Sequence, residues 1–385
     1  MAVRCDAPFL PENIMFNILK RLPVKSLIRF QCVCKHWKNL FKTSSFVNDH
    51  LHHSSAQNPS LLFKPNSNCQ PLHLSLIDGE INALEVQIPP LIGSLPDVTI
   101  EGSCNGLLCI ATDMSKKSLF LWNPAIREVR QVPATRRSKF PRSNCIVGFG
   151  FSEIVDDYKI VKTYAGRDNV ITGVKLYSLR TDSWKDIEFG SLEGLELLNY
   201  SVNVNGVIFW SAVDSGCNLI VSFDIATEVF TLIRIPTSSC LPDITVFEDK
   251  FAILYLFPIL DNPNDGLYYS IDLSVLEEDK GSCTERWSWS QKYDSSWSNI
   301  YSSSSTLTIW RNEFVSACDS FRKTRLTNEG GQDIENHEEN VGLYFLNIIT
   351  NERMMFAIPE YSRYTHVFNY VESLVPVGNI HYQQP

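Results

Sequence analysis

The sequence predicts a small all-α module followed by an all-β propeller of about six blades, with the count open by one. Three observations carry this. An apolar stripe recurs every three to four residues between Leu10 and Leu22 and ends at Pro23. From Leu61 onward, short alternating runs rich in Val, Ile, Phe, Tyr and Leu are separated by Gly, Asn, Asp and Pro, the pattern of half-buried strands joined by tight turns. Within that β region several stretches share one strand–turn–strand plan.

Leu10, Ile14, Ile18 and Leu22 stand four residues apart with Met15 and Leu19 beside them, which makes one face of a helix starting at Pro11 apolar. Pro23 stops that helix. Val24, Leu27, Ile28 and Phe30 predict a second short helix and Trp37, Leu40 and Phe41 a third, with one or two further turns over residues 45–51. A segment of about 40 residues is too small to bury a core alone. Part of its apolar surface is therefore expected to stay exposed until a partner or a following domain covers it.

Residues 54–60 read as a polar connector, and the strand-like pieces begin at 61–64, 72–77 and 84–88. Residues 119–133, 174–188, 220–236 and 341–359 each run as an apolar strand, a polar turn and a second strand. At the turns, Ser178, Asp224 and Asn347 are followed three residues later by Thr181, Thr227 and Thr350. A short polar side chain there can bond its own downstream backbone and fix a hairpin. Asn105-Gly106 and Asn205-Gly206 mark preceding hairpins, with looser counterparts at 248–250 and 311–313, so the unit is a four-stranded antiparallel sheet. Taking Asn123, Ser178, Asp224, Asp272 and Asn347 as equivalent gives steps of 55, 46, 48 and 75 residues. The first three suit propeller blades. The long step contains a polar insertion, residues 322–340, expected to be a mobile loop. The strands at 61–88 make the sixth blade, and residues 367–377 are expected to close the ring beside them.

The chain carries a formal charge of −9, but residues 1–46 hold eight Lys and Arg against Asp6 and Glu12. Their balance is +6, so residues 47–385 carry −15. An acidic body argues against nucleic acid as partner, because phosphate neutralisation needs clustered Lys and Arg. It suits a basic protein ligand. No apolar run of membrane-spanning length occurs, and the first residues lack the apolar segment of a signal peptide, so a cytoplasmic protein with no membrane partner is expected. Eleven scattered cysteines without a C-x-x-C pair read as thiols of a reducing compartment, not as disulfides or a zinc site.

No phosphate-binding loop, nucleophile elbow, H-E-x-x-H or EF-hand spacing occurs, so no catalytic residue, metal or cofactor is expected. Gly148-Phe149-Gly150-Phe151 lacks the continuation of a phosphate cradle and reads as a tightly packed strand. Asp156-Asp157 and Glu277-Glu278-Asp279 are adjacent carboxylates of turns and solvated faces. Alternation puts Trp287 and Trp289 on one face, more in keeping with core than with a ligand platform.

Leu10-Pro11, the string from Ile18 to Leu27 (ILKRLPVKSL), Arg29-Phe30, Cys32-Val33-Cys34-Lys35 and Trp37 resemble the F-box of plant F-box proteins. That resemblance implies docking on the Skp adaptor of a cullin-RING ubiquitin ligase. It makes Leu10, Pro11, Ile14, Leu19, Leu22, Pro23, Leu27 and Cys34 candidates for adaptor contact, with Phe30, Trp37 and Leu40 holding the helices together. Further strings resemble the F-box-associated domain, in the same order: residues 102–109 (GSCNGLLC), 121–127 (LWNPAIR), 148–151 (GFGF), 157–159 (DYK), 174–184 (VKLYSLRTDSW) and 370–375 (YVESLV). Within that family they are most similar to the S-locus F-box and S-locus F-box-like proteins of pollen. The Gly-Gly pair of true kelch blades is missing from the repeats, so the body is kelch-like at most.

The domains expected are an F-box module over 1–53, a linker over 54–60 and a substrate-binding propeller over 61–385. The resemblance implies a non-catalytic substrate receptor whose targets are basic S-ribonucleases of the pistil. The alternatives are a receptor for an unrelated protein and a carbohydrate-binding propeller. The loops expected to select the target are 135–144, 191–198, 261–266 and 322–340, with Glu193, Glu196, Asp261 and Asp265 as acidic contacts.

Overall fold

The computed structural model describes residues 10–57, 59–64, 72–77, 80–95, 98–112, 118–135, 144–166, 171–236, 241–259, 268–278, 287–298, 307–327, 333–350, 352–357 and 366–378. The N-terminal module holds four helices: α1 (Glu12–Leu19), α2 (Val24–Phe30), α3 (Lys35–Leu40) and α4 (Ser44–Gln57). Pro11 and Pro23 each stand at an N-cap, where a missing N–H costs nothing and the fixed φ prepares the first turn. Cys34 caps α3, its Sγ accepting the Trp37 N–H at 3.5 Å. Phe46 of α4 is the centre of the module, edge-on to Phe16 at 5.2 Å and tilted against Phe41 at 5.1 Å. The helix is longer than the one or two turns expected. Its buried face, Phe46, Val47, His50 and Leu51, gives it a reason to continue, and His50 Nε2 donates to the Leu22 carbonyl at 3.0 Å. Burial lowers the His50 pKa, with the bond to Leu22 opposing.

Six four-stranded antiparallel sheets follow. Blade one consists of His366–Tyr370, Ser60–Lys64, Leu72–Ile77 and Glu80–Glu85, from the inside out. Blade two holds Thr99–Cys104, Leu107–Thr112, Ser118–Asn123 and Glu128–Gln131, and blade three Asn144–Ser152, Asp157–Ala165, Ile171–Ser178 and Ser183–Asp186. Blade four holds Leu195–Val204, Val207–Asp214, Cys217–Asp224 and Val229–Arg234. Blade five is built from Asp243–Phe247, Lys250–Ile259, Tyr268–Glu278 and Trp287–Ser298, and blade six from Leu307–Trp310, Glu313–Thr327, Asp333–Asn347 and Arg353–Ala357. The ring is closed by the chain's own end: Ser60 pairs with Tyr370 and Lys64 with His366, and the Ser60 hydroxyl donates to the Tyr370 carbonyl at 2.9 Å. Closure removes the open edges that an unfinished sheet would expose.

The turns are where local sequence acts most directly. Asn105, Asn205, Glu248, Asp249, Arg311 and Asn312 all have positive φ at first-to-second strand hairpins, as do Gly106 and Gly206, the backbone that a primed turn needs. Asp224 Oδ1 accepts from the N–H groups of Ala226 and Thr227, and Asn347 Oδ1 from those of Ile349 and Thr350, which fixes the third-to-fourth strand turns of blades four and six. Asp272 breaks the series. It pairs with Asp294 and Tyr255 in mid-strand, six residues before that strand ends, and marks no turn. The third strand-like piece is also displaced, to Glu80–Glu85. The 322–340 insertion is not a bare loop either: Glu313–Thr327 pairs with Asp333–Asn347 along its whole length, out to Thr327 opposite Asp333.

Between blades, contacts are close and specific. A Cβ on Gly148 would lie 2.1 Å from Trp210 Cζ2, and one on Gly150 2.4 Å from Asn203 Nδ2, so the Gly-Phe-Gly-Phe run is the strand on which blade four rests. Trp184 Nε1 donates to the Pro133 carbonyl at 2.6 Å and Trp289 Nε1 to the Arg234 carbonyl at 2.7 Å. Each indole thus latches the outer edge of its own blade to the end of the preceding one, and Trp289 also packs on Phe251. Lys159 is buried and reaches from blade three to the Ile225 carbonyl and Glu228 of blade four at 2.9 and 2.8 Å. Burial would push the Glu228 carboxyl up, but hydrogen bonds from Lys159 and Lys185 hold it below the usual range.

Candidate functional site: two docking faces at opposite ends

The apolar stripe of the helical module divides between two directions. Leu19 and Leu27 are buried, Leu22 is half-buried, and Leu10, Pro11, Ile14, Pro23 and Cys34 are exposed. Ile18, Ile28 and Val33 are exposed as well, at 47, 36 and 61%, although only Ile18 and Ile28 carried a periodic signal and none was singled out as an adaptor contact. Phe30, Trp37 and Leu40 are half-buried against the module's core, with Phe30 and Trp37 rings 5.7 Å apart.

The covered side faces the propeller. Leu19, Val24, Leu27, Phe41, Phe46, Val47 and Leu51 belong to one continuous hydrophobic cluster with Leu107, Leu121, Phe149 and Leu374 of the body. Lys25 lies close enough to Glu372 to counter the upward shift that burial imposes on that carboxyl. At the end of α4, Arg311 donates to the Gln57 carbonyl at 3.2 Å and Trp310 Nε1 to the Pro59 carbonyl at 3.1 Å. The body therefore supplies the core that the small module lacks, and it leaves the Leu10, Ile14, Ile18, Ile28 and Val33 side chains uncovered.

In antiparallel blades, first-to-second and third-to-fourth hairpins lie at one end, while second-to-third hairpins and the links between blades lie at the other. The Asn-Gly hairpins share a cavity wall with Ser55 and Pro59, so the first end is the one held by the helical module. Glu193 and Glu196 lie at the far end, both exposed, one just after the short 3-10 helix Gly190–Leu192 and the other in the first strand of blade four. Residues 191–198 and the hairpin strands 322–327 and 333–340 belong to that same end, which spacing alone did not reveal, while residues 136–143 and 261–266 lie outside the described residues. Asp261 and Asp265 fall outside the described residues. Among the described residues, no group of three His, Cys, Asp or Glu is placed to hold a metal ion, and no helix is long and apolar enough to cross a membrane.

Comparison with known proteins agrees with this two-part plan. The F-box domain matches residues 8–49 and the F-box associated beta propeller domain residues 85–377. An F-box/kelch-repeat protein of Arabidopsis thaliana is 33% identical over 236 residues, covering 57% of this chain and 64% of the relative. An F-box protein of the same plant is 28% identical over 256 residues, covering 64 and 66%. The chain thus spans a little under two thirds of the length of these curated relatives. Among solved structures, a chain of the nidogen/laminin complex is similar with a TM-score of 0.45 and 10% identity, over 82% of this chain and 99% of that one. With helices 12–57 seated on a six-bladed ring and both domain families matched in order, the chain belongs to the F-box proteins that carry an F-box-associated β-propeller domain.

Proposed function

We propose that this protein is a non-catalytic substrate receptor of a cullin-RING ubiquitin ligase, acting in the cytoplasm. The exposed side of α1 and α2 docks on the Skp adaptor, and the far end of the propeller holds the protein to be ubiquitinated. The observation that carries the reading is the apolar side of the helical module left open after the other side is seated on the body. Single exposed leucines are ordinary, but five large apolar side chains exposed within 24 residues, Leu10, Ile14, Ile18, Ile28 and Val33, are what a docking module leaves for a partner to cover. Pro11, Pro23 and Cys34 are exposed in the same stretch. Leu22 contributes its accessible half, while Leu19 and Leu27 act by holding the helices in place.

Each large apolar side chain buried at such an interface contributes about 1.5–3 kcal/mol, so Leu10→Ala with Ile14→Ala should weaken adaptor binding by about two orders of magnitude. Co-purification with the Skp adaptor, alongside a circular dichroism spectrum unchanged from wild type, is the test. Undiminished binding by the folded double variant would remove the assignment.

For the target we propose a basic protein, and by the S-locus resemblance a basic S-ribonuclease of the pistil. The −15 balance of residues 47–385 and the exposed Glu193 and Glu196 support it. A panel of S-ribonucleases from several haplotypes, offered to the full-length protein, distinguishes the readings. If none binds, the target is an unrelated protein and the receptor assignment stands on the helical face.

A further inference from the structure

The axis of the ring contains a space that the docking faces do not use. It is a cavity of about 420 Å³ walled by the inner strands of blades one, two, four, five and six. A second space of about 380 Å³ adjoins it toward the helical module, and the two share Ser103, Asn203, Val246 and Asn369. Leu198, Leu241 and Pro242 rim the mouth at the far end, while Ser55 and Pro59 border the other.

The walls are of mixed chemistry. Ile244, Val246, Val367 and Phe368 are apolar, and hydroxyls and amides stand between them. Several of those polar groups are already committed to the fold. Asn203 Oδ1 accepts the Cys104 thiol at 3.3 Å, its Nδ2 donates to the Val207 carbonyl at 3.3 Å, and Thr245 and Thr308 bond each other at 3.1 Å. Ser103 and Asn369 are different. Both line the shared waist, and neither side chain has a protein hydrogen-bond partner among the described residues; Asn369 is exposed to the channel. The Ser201 hydroxyl is buried beside the same cavity, also without a partner. The larger cavity is lined by no Lys, Arg or His, and Asp243, its one carboxylate, is already engaged.

We propose that this channel binds a small uncharged molecule with an apolar body and hydroxyl or amide groups, entering by the mouth opposite the helical module. The volume is that of a small-molecule site, and an apolar wall with a few convergent, unfilled polar groups is how such sites achieve orientation. An anion would find no cation in the larger cavity. Arg311, which lines the smaller space together with Asp249, already donates to the Gln57 carbonyl, so leaving water would strip the anion of hydration without return. A neutral molecule spanning Ser103 and Asn369 would cover the apolar wall and satisfy both side chains.

The experiment uses the full-length protein and saturation-transfer NMR with probes at millimolar concentration. The neutral probes are phenyl β-D-glucoside and N-benzylacetamide, and the charged probes of related size are phenyl phosphate and benzylamine. Saturation should reach the neutral probes and not the charged ones. It should vanish in Ser103→Phe, which fills the waist. Should that variant fail to fold, Asn369→Leu decides, since it removes the amide at nearly constant volume and should weaken the neutral probes about tenfold. The proposal is overturned if no neutral probe receives saturation, if charged probes receive as much, or if Asn369→Leu leaves the response unchanged.

Discussion

The side-chain amide of Asn123 donates to the carbonyls of Ser373, at 3.0 Å, and Val375, at 2.8 Å. A turn of blade two thereby holds a segment 250 residues further along the chain, while Asn123 Oδ1 fixes its own turn by accepting from Ala125. The side chain is completely buried. Asn123→Ala should leave two inward carbonyls without this donor and cost about 2–3 kcal/mol, read as a lower urea midpoint with unchanged slope. Asn123→Asp should cost more, because an ionised carboxylate only accepts and would face two carbonyl oxygens. If Asn123→Asp were as stable as wild type, the segment would be held by its apolar residues, Leu374, Val375 and Val377, instead.

Gly148→Ala tests the seat between blades three and four. The added methyl would lie 2.1 Å from an indole carbon of Trp210, inside any permitted contact, and both elements are regular strand with nowhere to retreat. Overpacking of this kind costs about 1–3 kcal/mol. In a Trp210→Leu background the same change should cost much less. A thermal-denaturation double-mutant cycle with no coupling between the two sites would contradict the contact.

Much of this architecture was legible because it is written locally. The Asn-Gly pairs dictate positive φ, the Asx turns at Asp224 and Asn347 need only a side chain and the next three residues, and Pro11 and Pro23 cap helices by their ring geometry. What was not legible depends on the opposite partner. Helical period places Leu10, Ile14, Leu19 and Leu27 on apolar faces, but does not tell that Leu19 and Leu27 are buried in the core the module shares with the propeller while Leu10 and Ile14 stay open. Asp272 looked like a turn marker because its spacing fitted, yet a carboxylate in mid-strand has the same spacing; only its pairing with Asp294 separates the two. The 322–340 segment has no apolar period because its strands pair only with each other beyond the body of the sheet, so no buried face imposed one. The far-end position of Glu193 and Glu196 is a property of ring topology, which no single stretch of sequence records.

The junction between module and propeller should respond to pH. Burial raises the pKa of Glu372, and the nearby Lys25 charge opposes this only in part. A carboxyl whose folded pKa lies above its unfolded value stabilises the fold most below the usual carboxylate range, and that contribution is lost as pH rises through the folded pKa. Glu372→Gln keeps the shape and removes the titration. Its melting temperature relative to wild type should therefore rise on going from about pH 4 to about pH 7. A difference that stayed flat across that window would place the Glu372 carboxyl in water.

Ionic strength separates the proposed target chemistry from its rivals. A basic protein approaching the far end of a body that carries −15 is attracted before contact, and that attraction is screened beyond about 8–10 Å at physiological salt. Association should accelerate at low salt while dissociation changes little, because exposed rim charges act mainly on encounter. Glu193→Gln with Glu196→Gln removes two exposed carboxylates from that end and should lower the association rate and its salt dependence together, with the fold intact. Surface-plasmon measurements of the full-length protein against an S-ribonuclease panel, from about 20 to 300 mM salt, read both constants. A sugar-like ligand would bind independently of salt. A basic target whose rates were the same at every ionic strength would place the contact away from Glu193 and Glu196, and the two glutamates would then have no part in it.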